Sequence, residues 1–305
     1  MTFSNETAFG GLAIEPFNDT FPFDPTKTMP RIAVEYDDDP EEWTKKFRAL
    51  LELPVAAHLR GLSVGAWGAP YENDSTDIAL AVAAAAPRLP NLNTLVFGDL
   101  SMEEAEVSWI ENSELGPMVN AYPNLTALLV RGGNHLGLTG LRLPQLSTLV
   151  VQTGGLDSSV VQQLLDAELP SLTHLELYTG AEDYGATVTM ADLAPIISGH
   201  AFPKLTYLGL KNSELQDDIA IAMCESPLLD RLQVLDLSLG ILTDAGGKAL
   251  LNEPRVRNLG FLNLEHHWMT DAVAVRFRDL GISVDLSDPM HGMDVDDFRY
   301  VAIGE

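Results

Sequence analysis

The sequence predicts an α/β solenoid, in which short parallel strands line one side and helices the other, with a cap at each end. Three observations carry this prediction. A six-residue pattern, L-x-x-L-x-L or its close variants, occurs eight times along the 305 residues. Segments with helical periodicity follow most copies. Five copies have a proline two residues ahead of their first leucine: Pro90, Pro123, Pro144, Pro170 and Pro203. Proline there ends the preceding helix and feeds the chain into a strand.

The clearest copy runs from Leu232 to Leu250. Leu235 and Leu237 stand two apart and so point to the same side of a strand, while Leu232 enters the same core from the preceding turn. Thr243 and Asp244 can then cap a helix whose Ala245, Ala249 and Leu250 form a short apolar stripe. One such unit cannot bury its apolar side alone, so copies must stack.

The first leucines of the copies are Leu59, Leu92, Leu125, Leu146, Leu172, Leu205, Leu232 and Leu259, giving spacings of 33, 33, 21, 26, 33, 27 and 27 residues. Those lengths scatter around the roughly 20 to 29 residues of a leucine-rich repeat. The predicted fold is therefore a leucine-rich-repeat solenoid, a horseshoe with a parallel concave sheet and outer helices. Its parts are an N-terminal extended segment and cap over residues 1–58, the array over 59–279, and C-terminal cap strands over 280–305, together one structural domain.

Taken in order, residues 1–29 alternate Phe9, Phe17, Phe21 and Phe23 with Gly, Pro and Asp, and read as an extended segment, neither helix nor clean strand, lying on the first repeats. Arg31 to Tyr36 alternates as a strand. Asp39 and Pro40 then open a helix with Trp43, Phe47, Leu50 and Leu51 inward. Further helices are expected at 77–86, 102–110, 158–167 and 190–198, the last begun by a capping box from Thr189 to Asp192. Only 21 residues separate Leu125 from Leu146, and the run 131–140 is too glycine-rich for a helix, so a tight loop should replace it. Residues 280–286 read as one more strand, 288–297 as an acidic loop, and 298–303 as a closing strand.

Eighteen basic residues against 44 acidic ones leave a net charge of −26, which repels nucleic-acid phosphates and anionic membranes alike. No nucleic-acid or membrane partner is expected. A lone Cys224 cannot form an internal disulfide, and neither a leader-like start nor 18 uninterrupted apolar residues occur, so a cytoplasmic location is expected. The glycine pairs at 132–133 and 154–155 lack the context of a nucleotide loop, so no cofactor is indicated.

Beyond the repeats, a specific resemblance covers nearly the whole chain. Its residues are Phe9-Gly-Gly-Leu, Ile32-Ala-Val-Glu-Tyr-Asp-Asp, Gly65-Ala-Trp67-Gly68, Glu265-His266-His267-Trp268-Met-Thr-Asp271, Val284-Asp-Leu-Ser-Asp288 and Arg299-Tyr300-Val301-Ala302. These segments resemble a family of uncharacterised bacterial cytoplasmic leucine-rich-repeat proteins. The repeat is similar to the ribonuclease-inhibitor type in Leu242-Thr-Asp-Ala-Gly and the helix after it. The resemblance implies the fold and the cytoplasm and supplies no catalytic residue. Gly240 and His267 stand where that type has asparagine, so no asparagine ladder is expected.

With the leucines inward, alternate strand residues face the concave side. In the first four copies these are small or apolar. In the last four they include His174, Glu176, Tyr178, Tyr207, Lys211, Asp236, Phe261, Asn263 and Glu265, a mixture of aromatic anchors and charges suited to recognition. The function expected is a non-enzymatic protein-interaction scaffold that binds a protein or peptide there. The alternative is an enzyme or enzyme regulator of GTPase-activating type, using Arg131 or the His266/His267 rim. Adjacent strand residues point to opposite sides, so His266 and His267 could share a metal ion, with Glu265, Asp236 or His291, only if the chain turned there; no metal is expected.

Overall fold

The computed structural model describes residues 3–18, 24–290 and 299–304. Phe21, Phe23 and the greater part of the acidic loop, with His291, lie outside the described residues. The chain forms two compact units, one of Thr2–Gln152 with Asp166–Leu172, the other of Thr153–Leu165 with Thr173–Gly304. Both have the architecture of an α/β leucine-rich-repeat solenoid.

The first unit begins with strands β1 (Ala8–Phe9) and β2 (Leu12–Pro16), an antiparallel hairpin. Strands β3 (Thr28–Ile32), β4 (Gly61–Val64), β5 (Thr94–Phe97), β6 (Ala127–Arg131) and β7 (Thr148–Gln152) then follow in parallel pairing from β2 onward. Helices α1 (Pro40–Glu52), α2 (Thr76–Ala84) and α3 (Gly116–Asn120) pack one against the next. Asp39 caps α1 by accepting from Glu41 N at 2.9 Å, and Trp43, Phe47 and Leu50 form its buried stripe.

In the second unit, helix α4 (Ser158–Leu165) precedes β8 (His174–Gly180), and α5 (Met190–Ile197), with the capping box as expected, precedes β9 (Tyr207–Ser213). Helix α6 (Gln216–Glu225), β10 (Val234–Asp236), α7 (Asp244–Asn252), β11 (Phe261–Asn263), α8 (Asp271–Ala274) and β12 (Ser283–Asp285) complete it. Strands β8 to β12 run parallel.

The register explains the motif. Its middle leucines pair across the strands in two ladders, Leu62–Leu95–Leu128–Leu149 in the first unit and Leu175–Leu208–Leu235–Leu262 in the second. All eight have no exposed surface, and burying each side chain contributes about 2 kcal/mol. All eight first leucines are buried as well.

Several expectations are corrected. The hairpin replaces the irregular segment expected before residue 29: Gly10 and Gly11 have φ of 57° and 79°, the paired positive angles that a two-residue type I′ turn requires. The strand expected at 31–36 ends at Ile32, because the carbonyls of Ile32 and Ala33 accept from Trp43 Nε1 (2.9 Å) and Lys46 Nζ (2.8 Å), which draw the chain toward α1. The helix expected at 102–110 is a turn and one 3-10 turn, Val107–Trp109. There Glu104 is held by Arg31, Asn5 and the Ser101 amide, and these tertiary bonds outweigh helix propensity. In α7 the inward residues are Gly246, Gly247 and Leu250, and Ala245 is exposed. A Cβ on Gly246 would stand 3.1 Å from that of Ala220, so α6 and α7 approach through the glycine. Residues 299–304 form no strand, although their backbone is bonded: Ala302 N donates to Leu239 O (2.8 Å) and Ile303 N to Asn212 Oδ1 (2.9 Å). The run 131–140 holds no helix, as expected.

Arg131 fastens the N-terminal segment in the first unit. It is 1 % exposed, donates to Gln152 Oε1 (2.8 Å), Ser4 O (3.0 Å), Leu100 O and Glu6 (2.7 Å), and lies over the Phe3 ring at 4.4 Å. Truncating a paired buried cation strands its partners. Arg131→Ala is expected to lower stability by about 3 kcal/mol in urea unfolding and to speed amide exchange around residues 4–6. Unchanged exchange there would show that the segment does not depend on the guanidinium.

Candidate functional site

The sheet face turned away from the leucine ladders is set by alternation, and in the second unit it gathers the predicted residues into rows. His174, Tyr207, Val234 and Phe261 pair in register across β8 to β11, and Glu176, Gly209, Asp236 and Asn263 form the next row. Tyr178 pairs with Lys211 in a third.

A single ammonium ties the rows together. Lys211 Nζ stands 3.3 Å from Glu176 Oε2 and 3.2 Å from Asp236 Oδ2, and 5.0 Å from the centroid of the Tyr178 ring. Burial works against its charge, yet Tyr178, Glu176 and Asp236 hold its pKa above the ordinary lysine value. Gly209 leaves the room it needs: a Cβ there would stand 3.0 Å from Glu176 Cγ and 3.2 Å from Lys211 Cδ. Asp236 Oδ2 also accepts from Tyr207 OH and Asn263 Nδ2, both at 3.1 Å, and its Oδ1 from Ser238 N at 3.0 Å.

The edge of the network is partly open. His174 stacks on Tyr207 with centroids 3.7 Å apart and planes 12° apart, and its Nε2 donates to Glu176 Oε1 at 2.7 Å. His174, Tyr207, Phe261, Asn263 and Glu265 are half-buried, whereas Tyr178 and Asp236 are buried under them. Burial, then the nearby Asp285, pushes the Glu265 carboxyl above its ordinary range. Eight of the nine predicted residues thus lie in these rows, with Tyr178 and Asp236 buried beneath the half-open ones, and Glu265 follows just past the end of β11. Asp285 was not read from the sequence; its place two residues along the last strand, in register with Asn263, was the available signal.

The residues of the enzymatic alternative stand elsewhere. Arg131 is buried and fully engaged, so it is not presented as an arginine finger. The chain does turn at His266, whose φ is 59°, and the two imidazoles part there. His266 Nδ1 meets Asp288 Oδ2 at 3.0 Å, while His267 Nδ1 accepts from Met269 N at 3.2 Å. Among the described residues, no three His, Cys, Asp or Glu side chains are grouped to hold a metal ion. Burial, then Glu253, pushes the Cys224 thiol up to about 11, so it is a poor nucleophile at neutral pH. No described helix is long and apolar enough to cross a membrane.

No family model matches the chain, nor does any curated protein. Among solved structures it is similar to a Bacteroides fragilis protein determined by structural genomics, with 32 % identity and a TM-score of 0.80, covering 87 % of this chain and 76 % of that one. An internalin from Listeria monocytogenes matches at 16 % identity and a TM-score of 0.41, covering 78 % of this chain and 57 % of that one.

The Glu176 carboxyl has a defined pH signature. Burial opposes its charge, but His174 and Lys211 together lower its pKa below the ordinary 4.5. A carboxylate depressed on folding stabilises the fold above its unfolded pKa and loses that contribution as pH falls through the folded value. Stability in urea should therefore decline below pH 4.5, and Glu176→Gln should flatten that decline. Parallel profiles for the two proteins would remove Glu176 from the account.

Proposed function

The chain belongs to the family of that Bacteroides fragilis protein, and we propose that it serves as a non-enzymatic scaffold, binding a protein or peptide segment on the helix-free face of β8 to β11. The observation that carries this reading is the stacked His174–Tyr207 pair, half-open above a hydrogen-bonded floor of Glu176, Lys211 and Asp236. Aromatic rings held in place offer contact area at little cost in conformational entropy, which is what recognition surfaces use. The carboxylates outnumber the single lysine, so the face favours a partner segment rich in hydrogen-bond donors or positive charge. Alternate side chains of parallel strands present such a segment with regularly spaced contacts.

The floor residues hold the site and the rim residues meet the partner. His174 and Tyr207 supply the flat apolar anchor, Phe261 extends it along the same row, and Asn263 and Glu265 add polar contacts at its border. A photo-crosslinking residue in place of Phe261 should give a discrete adduct in an extract of the protein's own cells. His174→Ala and Tyr207→Ala should each reduce that adduct about tenfold or more while each variant still unfolds cooperatively in urea. Equal adducts from position 261 and from Lys248 on α7 would contradict the proposal.

A further inference from the structure

The first unit contains a cleft of about 560 Å³ that the scaffold reading does not use; it is lined by Tyr36, Tyr71, Met102, Glu103, Glu106 and Trp109 among others. Three large aromatic side chains are unusually open there, Tyr36 at 46 %, Tyr71 at 42 % and Trp109 at 58 % exposure. Leaving such rings in water forgoes apolar burial, and their gathering in one concave place is the mark of a binding surface rather than of scattered surface residues. The two tyrosines are fixed against each other, stacked at 5.5 Å with planes 23° apart and joined through their hydroxyls.

The charge of the cleft selects its occupant. Of the three lining carboxylates, Glu104 is paired with Arg31 at 2.7 Å, whereas Glu103 and Glu106 carry no ion pair among the described residues, and no lysine, arginine or histidine lines the cleft itself. Glu72 and Asp37 add negative charge near the Tyr36 hydroxyl. With the unpaired Glu103 and Glu106 carboxylates, this favours a positive guest. Aromatic faces attract cations within about 6 Å of the ring centroid, and a carboxylate beside them favours one that also donates hydrogen bonds. A quaternary ammonium uses the rings but wastes the carboxylates. A guanidinium uses both, lying flat on a ring and offering its N–H groups at the edge.

We propose that this cleft binds an arginine side chain of a peptide or protein. The source is a peptide because free arginine brings an α-carboxylate into an acidic cleft on a chain of net charge −26. Binding needs no covalent step and no further group.

The probe is N-acetyl-arginine amide, titrated onto the full chain and followed by tryptophan fluorescence and by the NMR signals of the three rings. Saturation in roughly the millimolar range is expected for one exposed cation–π contact with charge-assisted hydrogen bonds. The neutral citrulline analogue should bind at least about tenfold more weakly, and free arginine more weakly than the amide. Trp109→Ala and the double variant Glu103→Gln/Glu106→Gln should each cost about tenfold without moving the urea midpoint, since Trp109 and Glu103 are exposed and glutamine keeps the size of the half-buried Glu106 side chain. Citrulline binding as well as arginine, or both variants keeping full affinity, would overturn the proposal. Tighter binding of free arginine than of the amide would overturn the peptide source.

Discussion

The two-residue period of an extended chain is the constraint on which the rest depends. Once the middle leucines of the motif are committed to the buried side, every neighbouring strand residue is committed to the other. In the second unit the same register that stacks Leu175, Leu208, Leu235 and Leu262 also sets His174 beside Tyr207 and Glu176 in the row of Asp236. Core and recognition face are therefore two readings of one alignment. A slip of one residue would bury carboxylates and expose leucines, a cost that no surface interaction could offset.

Charge on that face is arranged around a single cation. Lys211 spans the gap left by Gly209 and brings two carboxylates into one hydrogen-bonded floor. Such pairs gain little net stability over an apolar core, but they fix side-chain positions, and fixed positions are what the half-open His174 and Tyr207 rings require. Side chains also secure the chain's described ends: Arg131 holds residues 4 and 6, and the Asn212 amide takes the place of a neighbouring strand for Ile303.

The repeats were fully legible because leucine spacing reports a strong and local requirement, the burial of one strand side. The nine face residues followed from the same spacing. What the sequence concealed depends on contacts between distant positions. Nothing near Glu104 announces that Arg31 and Asn5 will hold it and prevent a helix, so the openness of Trp109 went unread as well. The inward stripe of α7 shares only Leu250 with the expected one, because Gly246 and Gly247 reach the core through lack of a side chain, which no hydrophobicity pattern displays. The Gly10-Gly11 pair between Phe9 and Leu12 is a local signal of a type I′ turn. Arg131 looked free for chemistry only because its partners lie some 30 to 130 residues away in the chain or belong to the neighbouring strand.

Thiol labelling most directly tests the alternation itself. In a Cys224→Ser background, Tyr207→Cys and Leu208→Cys, adjacent on β9, and likewise Phe261→Cys and Leu262→Cys on β11, would be reacted with a water-soluble thiol reagent under native conditions. The fold described here predicts that positions 207 and 261 label at least about a hundredfold faster than 208 and 262, whose access requires opening of the structure. Equal rates within each pair, or faster labelling at the leucine positions, would contradict it.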